Sequence, residues 1–194
     1  MYQPDSAGNI KKLYPDIKLV ILLREPGDRA YSAWNHYRQL FPRWIRDESI
    51  KHQKRRSGNR LYEQLFENRD QFPCFRHCLE LELDLMRRDP TSYEPALLRR
   101  GLYHDQLNHY YSIFSAEQIK VIGFKEFTQN IHNTLNSICQ FIGVSTKNWR
   151  NLERGPRNER NYVEPIQSAD RALLDNFYAE PNARLFHDYG EFDW

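Results

Sequence analysis

The stretch IKLVILLREPGDRAYSAW, residues 17–34, decides the fold of this chain. Its first part, residues 17–23, is the most apolar run in the sequence and is rich in β-branched side chains. Such a short, nearly continuous run is typical of a strand that is buried on both faces of a parallel sheet. A buried helix is the competing interpretation, but the turn-forming residues 24–27 end the run too soon for one.

The residues after this turn predict a helix. Apolar and aromatic side chains recur at helical spacing over residues 28–40, and the Asp28 carboxylate favours a helix N-terminus. A second apolar run, residues 119–124, predicts another strand. It lies between predicted helices at residues 102–114 and 127–142. This alternation predicts an α/β fold, with a parallel sheet flanked by helices.

The two predicted strands lie far apart in the sequence. We therefore expect residues 43–100 to form a helical insertion or cap within a single domain that spans residues 1–194. Residues 80–85 alternate with period two, as a strand would, but their neighbours are strong helix formers. A helix bracketed by Pro73 and Pro90 is the favoured interpretation.

The remaining segments carry clear boundary signals. The helix over residues 127–142 is expected to end at Gly143. The polar residues 149–162 predict a loop. Ser168 is a candidate N-cap for a last helix that ends near residue 178. The aromatic tail, residues 192–194, is expected to pack back onto the body of the protein.

Composition excludes several classes of protein. Lys and Arg number 28 against 26 Asp and Glu, so a generally polycationic protein is excluded and any anion site must be local. Aromatic residues make up 14% of the chain, which argues against disorder. Three cysteines rule out a disulfide scaffold and fit a reducing compartment. The sequence contains no run of 18 apolar residues, so it predicts no transmembrane helix.

Arg24 and Ser32 form the candidate anion site. Arg24 stands where the first strand ends, and Ser32 follows early in the next helix. Ligands of α/β sheets bind beyond the carboxyl ends of strands, and a helix N-terminus offers unpaired N–H groups there. A guanidinium and a hydroxyl at that point suit a phosphate or sulfate. Arg29 is either a further cationic contact for that anion or forms a salt bridge at the surface or in the first turn of the helix. The competing interpretation pairs Arg24 with Glu25 or Asp28.

The string Arg24-Glu25-Pro26-Gly27-Asp28-Arg29-Ala30-Tyr31-Ser32 resembles a motif of a known family. Sulfotransferases that use 3′-phosphoadenosine 5′-phosphosulfate (PAPS) carry R-x-P-x-x-R-x-x-S at the end of a strand. In that family the first Arg and the Ser hold the 3′-phosphate of the cofactor. The resemblance implies the same role for Arg24 and Ser32, and a P-loop-nucleotide-transferase-like fold.

Two further segments are similar to the same family. Residues 97–127 resemble the family's G-x-Y, helix and strand, which implies that Gly101 and Tyr103 lie near the nucleotide. For Tyr103 a buried core aromatic is the alternative. Residues 166–194 resemble the C-terminal helix and closing tryptophan of heparan-sulfate-type and bacterial carbohydrate sulfotransferases. The resemblance implies sulfuryl transfer from PAPS to an acceptor hydroxyl, with carbohydrate as the expected acceptor and no metal.

The family also has a basic loop over the cofactor, before the last helix. The matching region here offers Arg154, Arg157 and Arg160 as candidates, without the family's Lys-Gly-Arg string. No general base is assigned.

One family element has no counterpart in the sequence. Nothing here resembles the G-x-x-K-[SG]-[GT]-[ST] turn that grips the 5′-phosphosulfate. We therefore expect an N-terminally incomplete sulfotransferase fold with weak or no activity on its own. The alternative is a non-catalytic remnant that binds a nucleotide or an anionic glycan, or one half of a split enzyme. A nucleotide kinase is disfavoured because no Walker G-x-x-x-x-G-K-[ST] occurs.

A bacterial cytoplasmic location is the expectation, with the Golgi lumen as the alternative if a membrane anchor precedes the sequence. Cys74, His77 and Cys78 fall short of zinc-site spacing, and a buried pair of cysteines is the favoured interpretation. The basic residues 46–60 predict a solvated loop, with contact to an anionic glycan or to nucleic acid as the alternative. His104 and His109 face different ways on a helix, so metal ligation there is disfavoured.

Overall fold

The computed structural model describes residues 1, 3–44, 65, 69–90, 96–149, 162 and 164–194. Its elements in chain order are α1 (Ser6–Leu13), β1 (Leu19–Leu23), α2 (Pro26–Trp44), α3 (Phe75–Arg88), α4 (Tyr103–Tyr111), β2 (Ile119–Gly123), α5 (Phe124–Gln129), α6 (Ile131–Ile142) and α7 (Ser168–Tyr189). Two 3₁₀ turns, Arg99–Gly101 and Ala116–Gln118, precede α4 and β2.

The chain divides into two compact units. The first unit comprises Met1–Glu25, Leu102–Glu159 and Ala179–Trp194. The second comprises Pro26–Gly101 and Arg160–Tyr178. The prediction of a single domain over residues 1–194 stays a prediction, and the predicted insertion at residues 43–100 is described only in part.

The two strands pair in parallel, from Leu19 opposite Ile119 to Leu23 opposite Gly123, which confirms the α/β prediction. The expectation that β1 is buried on both faces is wrong. Side chains alternate along a strand, and the described residues bury only the face that carries Ile21 and Leu23. On the other face Val20 and Leu22 are 40% and 46% exposed.

The core of the first unit lies on the buried face of this sheet. Burial of apolar surface against β1 and β2 supplies its stability, and α1 and α4 contribute because each turns one apolar side toward the strands. The buried members of this core are Ala7, Ile21, Leu23, Tyr103, Leu107, Tyr110, Phe114, Ile119 and Leu185.

The second unit is built on α2 and α3. Tyr31 and Trp34 of α2 stack on each other, with ring centroids 5.5 Å apart, and both contact Phe75 at the start of α3. The Trp34 indole N–H donates to the Pro73 carbonyl oxygen at 3.0 Å. The period-two stretch at residues 80–85 is helical, as predicted, because α3 buries Cys78, Leu79 and Leu85 along one side.

The helices differ from the predictions most clearly in three places. The short helix α1 was not expected; Ala7 is fully buried, and such packing stabilises helices that propensity alone would not. The single helix predicted over residues 127–142 is two helices, because Asn130 leaves helical geometry, although α6 does end at Gly143 with φ 81°. Helix α7 continues through Pro181 to Tyr189, since the buried Leu185 anchors its second half.

No helix in the described part of the chain combines the length and hydropathy needed to cross a bilayer. Most of the predicted polar loop at residues 149–162 lies outside the described residues.

Candidate functional site

In the first unit, Arg24 directly follows β1. Its guanidinium carbon lies 5.4 Å from the centre of the Phe124 ring, at the start of α5, in a cation–π arrangement. No carboxylate of the described part of this unit pairs with that guanidinium. Among the described residues of this unit its N–H donors therefore have no carboxylate partner, and no pairing of Arg24 with Glu25 is found there.

Tyr103 fixes the backbone at the same point. Its hydroxyl donates a hydrogen bond of 2.9 Å to the backbone carbonyl oxygen of Arg24. The Tyr103 side chain is 5% exposed, and its ring centre lies 6.1 Å from that of Trp194. Tyr103 is therefore a buried aromatic residue, and it also lies next to Arg24. Its contact with the nucleotide stays a prediction.

The C-terminal segment lies at the carboxyl end of β2. A Cβ on Gly123 would overlap the backbone carbonyl of Asp193, so glycine is required for this close approach. The Asp193 carbonyl accepts from the Glu126 N–H at 3.1 Å, and its carboxylate pairs with Lys125 at 2.8 Å. Trp194 stacks on Phe192, which confirms the prediction that the aromatic tail packs back. Sequence reasoning missed Phe124, which no motif distinguishes from a core aromatic.

In the second unit, α2 begins at Pro26, a residue well suited to the first position of a helix. Ser32 lies half-buried in its second turn. Asp28, in the first turn, pairs with Arg171 of α7. Asp28 therefore has a basic partner within its own unit.

Arg29 forms a hydrogen bond to the turn at residues 97–101. Its Nη2 donates to the Leu97 carbonyl oxygen. Its Nε is buried and has no hydrogen-bond partner among the described residues. The contact of Arg29 with the cofactor stays a prediction. In the structure Arg29 makes the hydrogen bond to Leu97.

The same turn is held by a buried carboxylate that sequence reasoning missed. Glu82 of α3 is fully buried and accepts hydrogen bonds from the backbone N–H groups of Leu97, Leu98 and Arg99, at 2.6, 2.9 and 3.0 Å. Burial outweighs these three bonds and raises the pKa of Glu82 to about 7. The sequence signal that could have indicated a buried Glu82 is its position, since residue 82 falls on the apolar side of α3 with Cys78 and Leu85.

Gly101 closes this turn without room for a side chain. A Cβ there would lie 2.6 Å from the Tyr178 hydroxyl and 2.8 Å from the Pro26 Cβ. The Tyr178 hydroxyl itself donates to the Leu98 carbonyl oxygen at 2.8 Å. The glycine of the predicted G-x-Y motif therefore has a packing reason of its own.

The histidines and cysteines have structural partners. His104 is 8% exposed and lies 2.8 Å from the Asp188 carboxylate and 3.1 Å from that of Asp105. The hydrogen bond to Asp188 raises the pKa of His104. Cys78 is buried, but Cys74 is exposed because it precedes α3, so the expected buried pair is wrong. Among the residues that the structure describes, no three His, Cys, Asp or Glu side chains form a metal-binding group.

Arg154, Arg157 and Arg160 of the predicted basic loop lie outside the described residues, as do the basic residues 46–60. Their roles stay predictions.

Known proteins similar to this chain are sulfotransferases. Carbohydrate sulfotransferase 15 of Mus musculus is 22% identical over 187 residues, which cover 91% of this chain and 30% of that protein. The membrane-associated sulfotransferase kil1 of Dictyostelium discoideum is 24% identical over 101 residues, or 50% of this chain and 20% of that protein. This chain thus spans less than a third of the length of these curated relatives.

A solved sulfotransferase from Alicyclobacillus acidocaldarius shares the fold, with a TM-score of 0.63 and 29% identity. The match covers 100% of this chain and 62% of that one. It confirms the predicted α/β, P-loop-like sulfotransferase fold. A family model described as a sulfotransferase domain matches residues 9–160. With most of its length matched and both strands in place, the chain belongs to the sulfotransferase domain family.

Proposed function

We propose that this chain takes part in PAPS-dependent sulfuryl transfer, and that Arg24 and Ser32 bind the 3′-phosphate of the nucleotide. The observation that carries the proposal is the position of the R-x-P-x-x-R-x-x-S string. It runs from the carboxyl end of the parallel strand β1 into the first two turns of α2. These are the places where an α/β sheet and a helix N-terminus each favour an anion.

The residue types present suit a phosphate. Arg24 stacks on Phe124, and no carboxylate of the described first unit takes its N–H donors. A guanidinium fork can then donate to two phosphate oxygens, and the Ser32 hydroxyl supplies a further donor. Tyr103 holds the Arg24 carbonyl and so fixes the point from which the Arg24 side chain leaves the strand.

PAPS would supply the sulfuryl group. The acceptor oxygen forms a bond to sulfur as the bond from sulfur to adenosine 3′,5′-bisphosphate breaks, and the acceptor hydroxyl loses its proton to a base that we leave unassigned. A carbohydrate hydroxyl is the proposed acceptor, because the curated relative with the longest match reported above is named a carbohydrate sulfotransferase. Arg154 and Arg157 are proposed as further phosphate donors.

Isothermal titration with adenosine 3′,5′-bisphosphate tests the nucleotide site. We expect micromolar binding by the wild type, about −8 kcal/mol. Removal of one charged hydrogen-bond donor in Arg24→Ala should weaken binding by roughly 10- to 100-fold, and Ser32→Ala by less. Lys12→Ala, which removes an exposed cation of α1, is the matched control and should leave the affinity unchanged. Equal affinity in wild type and Arg24→Ala would contradict the proposal.

Nucleotide binding without transfer is the second candidate. The observation in its favour is that the sequence contains no string like the family's 5′-phosphosulfate turn. Incubation of the chain with ³⁵S-labelled PAPS and a panel of polysaccharides separates the two. Label on a polysaccharide supports transfer by this chain, whereas nucleotide binding with no labelled product supports nucleotide binding without transfer.

A further inference from the structure

We infer that Glu82 is a positioning residue: its buried carboxylate fixes the turn at residues 97–101 and, through that turn, the start of the helix that carries Ser32. The role of this arrangement in ligand binding rests on the proposed function. The positioning itself is a property of the second unit alone, in which all of these residues lie.

The Glu82 side chain fills a nest of consecutive backbone N–H groups. Its Oε2 accepts from Leu97 and Leu98 at 2.6 and 2.9 Å, and its Oε1 accepts from Arg99 at 3.0 Å. Successive N–H groups of this kind form an anion-binding concavity, which an internal carboxylate occupies here. An apolar side chain of the same size would leave three buried donors unsatisfied.

The carbonyl groups of the same turn are also held. Arg29 donates to the Leu97 oxygen, and Tyr178 donates to the Leu98 oxygen at 2.8 Å. The backbone of the turn is therefore fixed from both sides. On the N–H side, all three groups donate to the one carboxylate of Glu82.

This fixed turn bears directly on the start of α2. Gly101 packs so closely against Pro26 that an added Cβ would lie 2.8 Å from the Pro26 Cβ. Arg29, in the first turn of α2, is tied to Leu97. Two separate contacts thus make the position of the first residues of α2 depend on the position of the turn. Ser32 lies one turn later on the same helix.

Two variants separate positioning from general stability. Glu82→Gln keeps one acceptor oxygen but places an NH₂ group opposite one of the three N–H donors. Glu80→Gln is the same substitution on an exposed residue of α3. Leu85→Ala removes a buried side chain of α3 that makes no hydrogen bond to the turn, and serves as the control for destabilisation.

Amide hydrogen exchange and isothermal titration are measured on each variant, well below its unfolding temperature. In Glu82→Gln we expect exchange over residues 26–32 and 97–101 to quicken by about tenfold or more. The Kd for adenosine 3′,5′-bisphosphate should rise, by no more than it does in Ser32→Ala. Glu80→Gln should match the wild type in both. Leu85→Ala should lower the unfolding temperature but leave the Kd within about threefold of the wild type.

Unchanged exchange over residues 26–32 in Glu82→Gln would overturn the inference, whatever the binding result. An equal rise of Kd in Leu85→Ala would also overturn it, since general destabilisation would then explain the effect. If the wild type does not bind the bisphosphate but exchange responds as expected, the positioning holds and the proposed function fails. Should Glu82→Gln not fold, Tyr178→Phe removes the bond to Leu98 and must quicken exchange over the same two segments.

Discussion

The hydroxyl of Tyr103 donates a 2.9 Å hydrogen bond to the backbone carbonyl of Arg24, the residue that directly follows β1. The bond joins the start of α4 to the carboxyl end of the strand, and both residues lie in the first unit. A buried tyrosine thereby fixes the backbone from which the candidate phosphate-binding arginine extends. The hydrogen bond thus connects the G-x-Y segment with the R-x-P-x-x-R-x-x-S string, which lie far apart in the sequence.

Tyr103→Phe removes this bond but keeps the ring that packs near Trp194. We expect a loss of about 1 kcal/mol in the free energy of unfolding, and a few-fold rise in the Kd for adenosine 3′,5′-bisphosphate, because Arg24 is positioned less firmly. Urea unfolding and isothermal titration measure the two effects. Tyr14→Phe, on a residue that is 62% exposed, is the control. A loss of affinity as large as that of Arg24→Ala would instead indicate direct nucleotide contact by Tyr103.

Gly101→Ala should destabilise the second unit. The new Cβ would meet the Tyr178 hydroxyl at 2.6 Å and the Pro26 Cβ at 2.8 Å, so the turn or α2 must shift, at about 1–3 kcal/mol. Gly8→Ala is the matched control, since nothing lies within 4 Å of its added Cβ. In the helix α1 that substitution should stabilise by about 0.5–1 kcal/mol. Urea unfolding that gives both variants the same sign would contradict the packing described here.

The His104–Asp188 pair predicts a pH dependence of stability. The hydrogen bond to Asp188 raises the folded-state pKa of His104 above its ordinary 6.5, although burial and, less strongly, the charge of Arg184 oppose the shift. The contribution of a group with a raised pKa is complete below the ordinary value and is lost as pH rises through the folded value. Wild type should therefore lose more unfolding free energy between pH 6 and pH 8.5 than His104→Gln does. Parallel curves for wild type and His104→Gln would refute the assignment.

Glu82 predicts a trend over a lower pH range. Its pKa is about 7 in the folded protein and 4.5 in the unfolded chain, because burial disfavours the charged form. Between these values the folded protein binds more protons, so stability falls as pH rises, by about 3 kcal/mol in total. Unfolding free energies measured from pH 4.5 to 7.5 should show this decline in wild type and Glu80→Gln. The part of the decline between pH 4.5 and 6 should be absent from Glu82→Gln, because His104 contributes only above that range. Its persistence there would place the titrating group elsewhere.

The sequence predicted the elements that have strong local signals. Residues 17–23 and 119–124 became the parallel strands β1 and β2, and Gly143 ends α6 in the left-handed conformation that glycine adopts most readily. The period-two stretch in α3 was assigned correctly because its neighbours favour helix. These are properties of short windows, which local propensity and periodicity describe well.

What the sequence could not predict depends on contacts between distant segments. The exposure of Val20 and Leu22 depends on which elements cover the sheet, not on the strand's own residues. The second half of α7 forms because Leu185 reaches the core of the first unit. The three N–H bonds of Glu82 join residues 15 to 17 positions away in the sequence, so no local pattern around residue 82 indicates them.

The central claim is that Arg24 binds the 3′-phosphate of a nucleotide. The most direct measurement compares the Kd for adenosine 3′,5′-bisphosphate with that for adenosine 5′-phosphate, in wild type and in Arg24→Ala. We predict that the 3′-phosphate strengthens binding by roughly 10- to 100-fold in the wild type, and that most of this gain disappears in Arg24→Ala. A 3′-phosphate that strengthens binding equally in both proteins, or in neither, would contradict the assignment of Arg24.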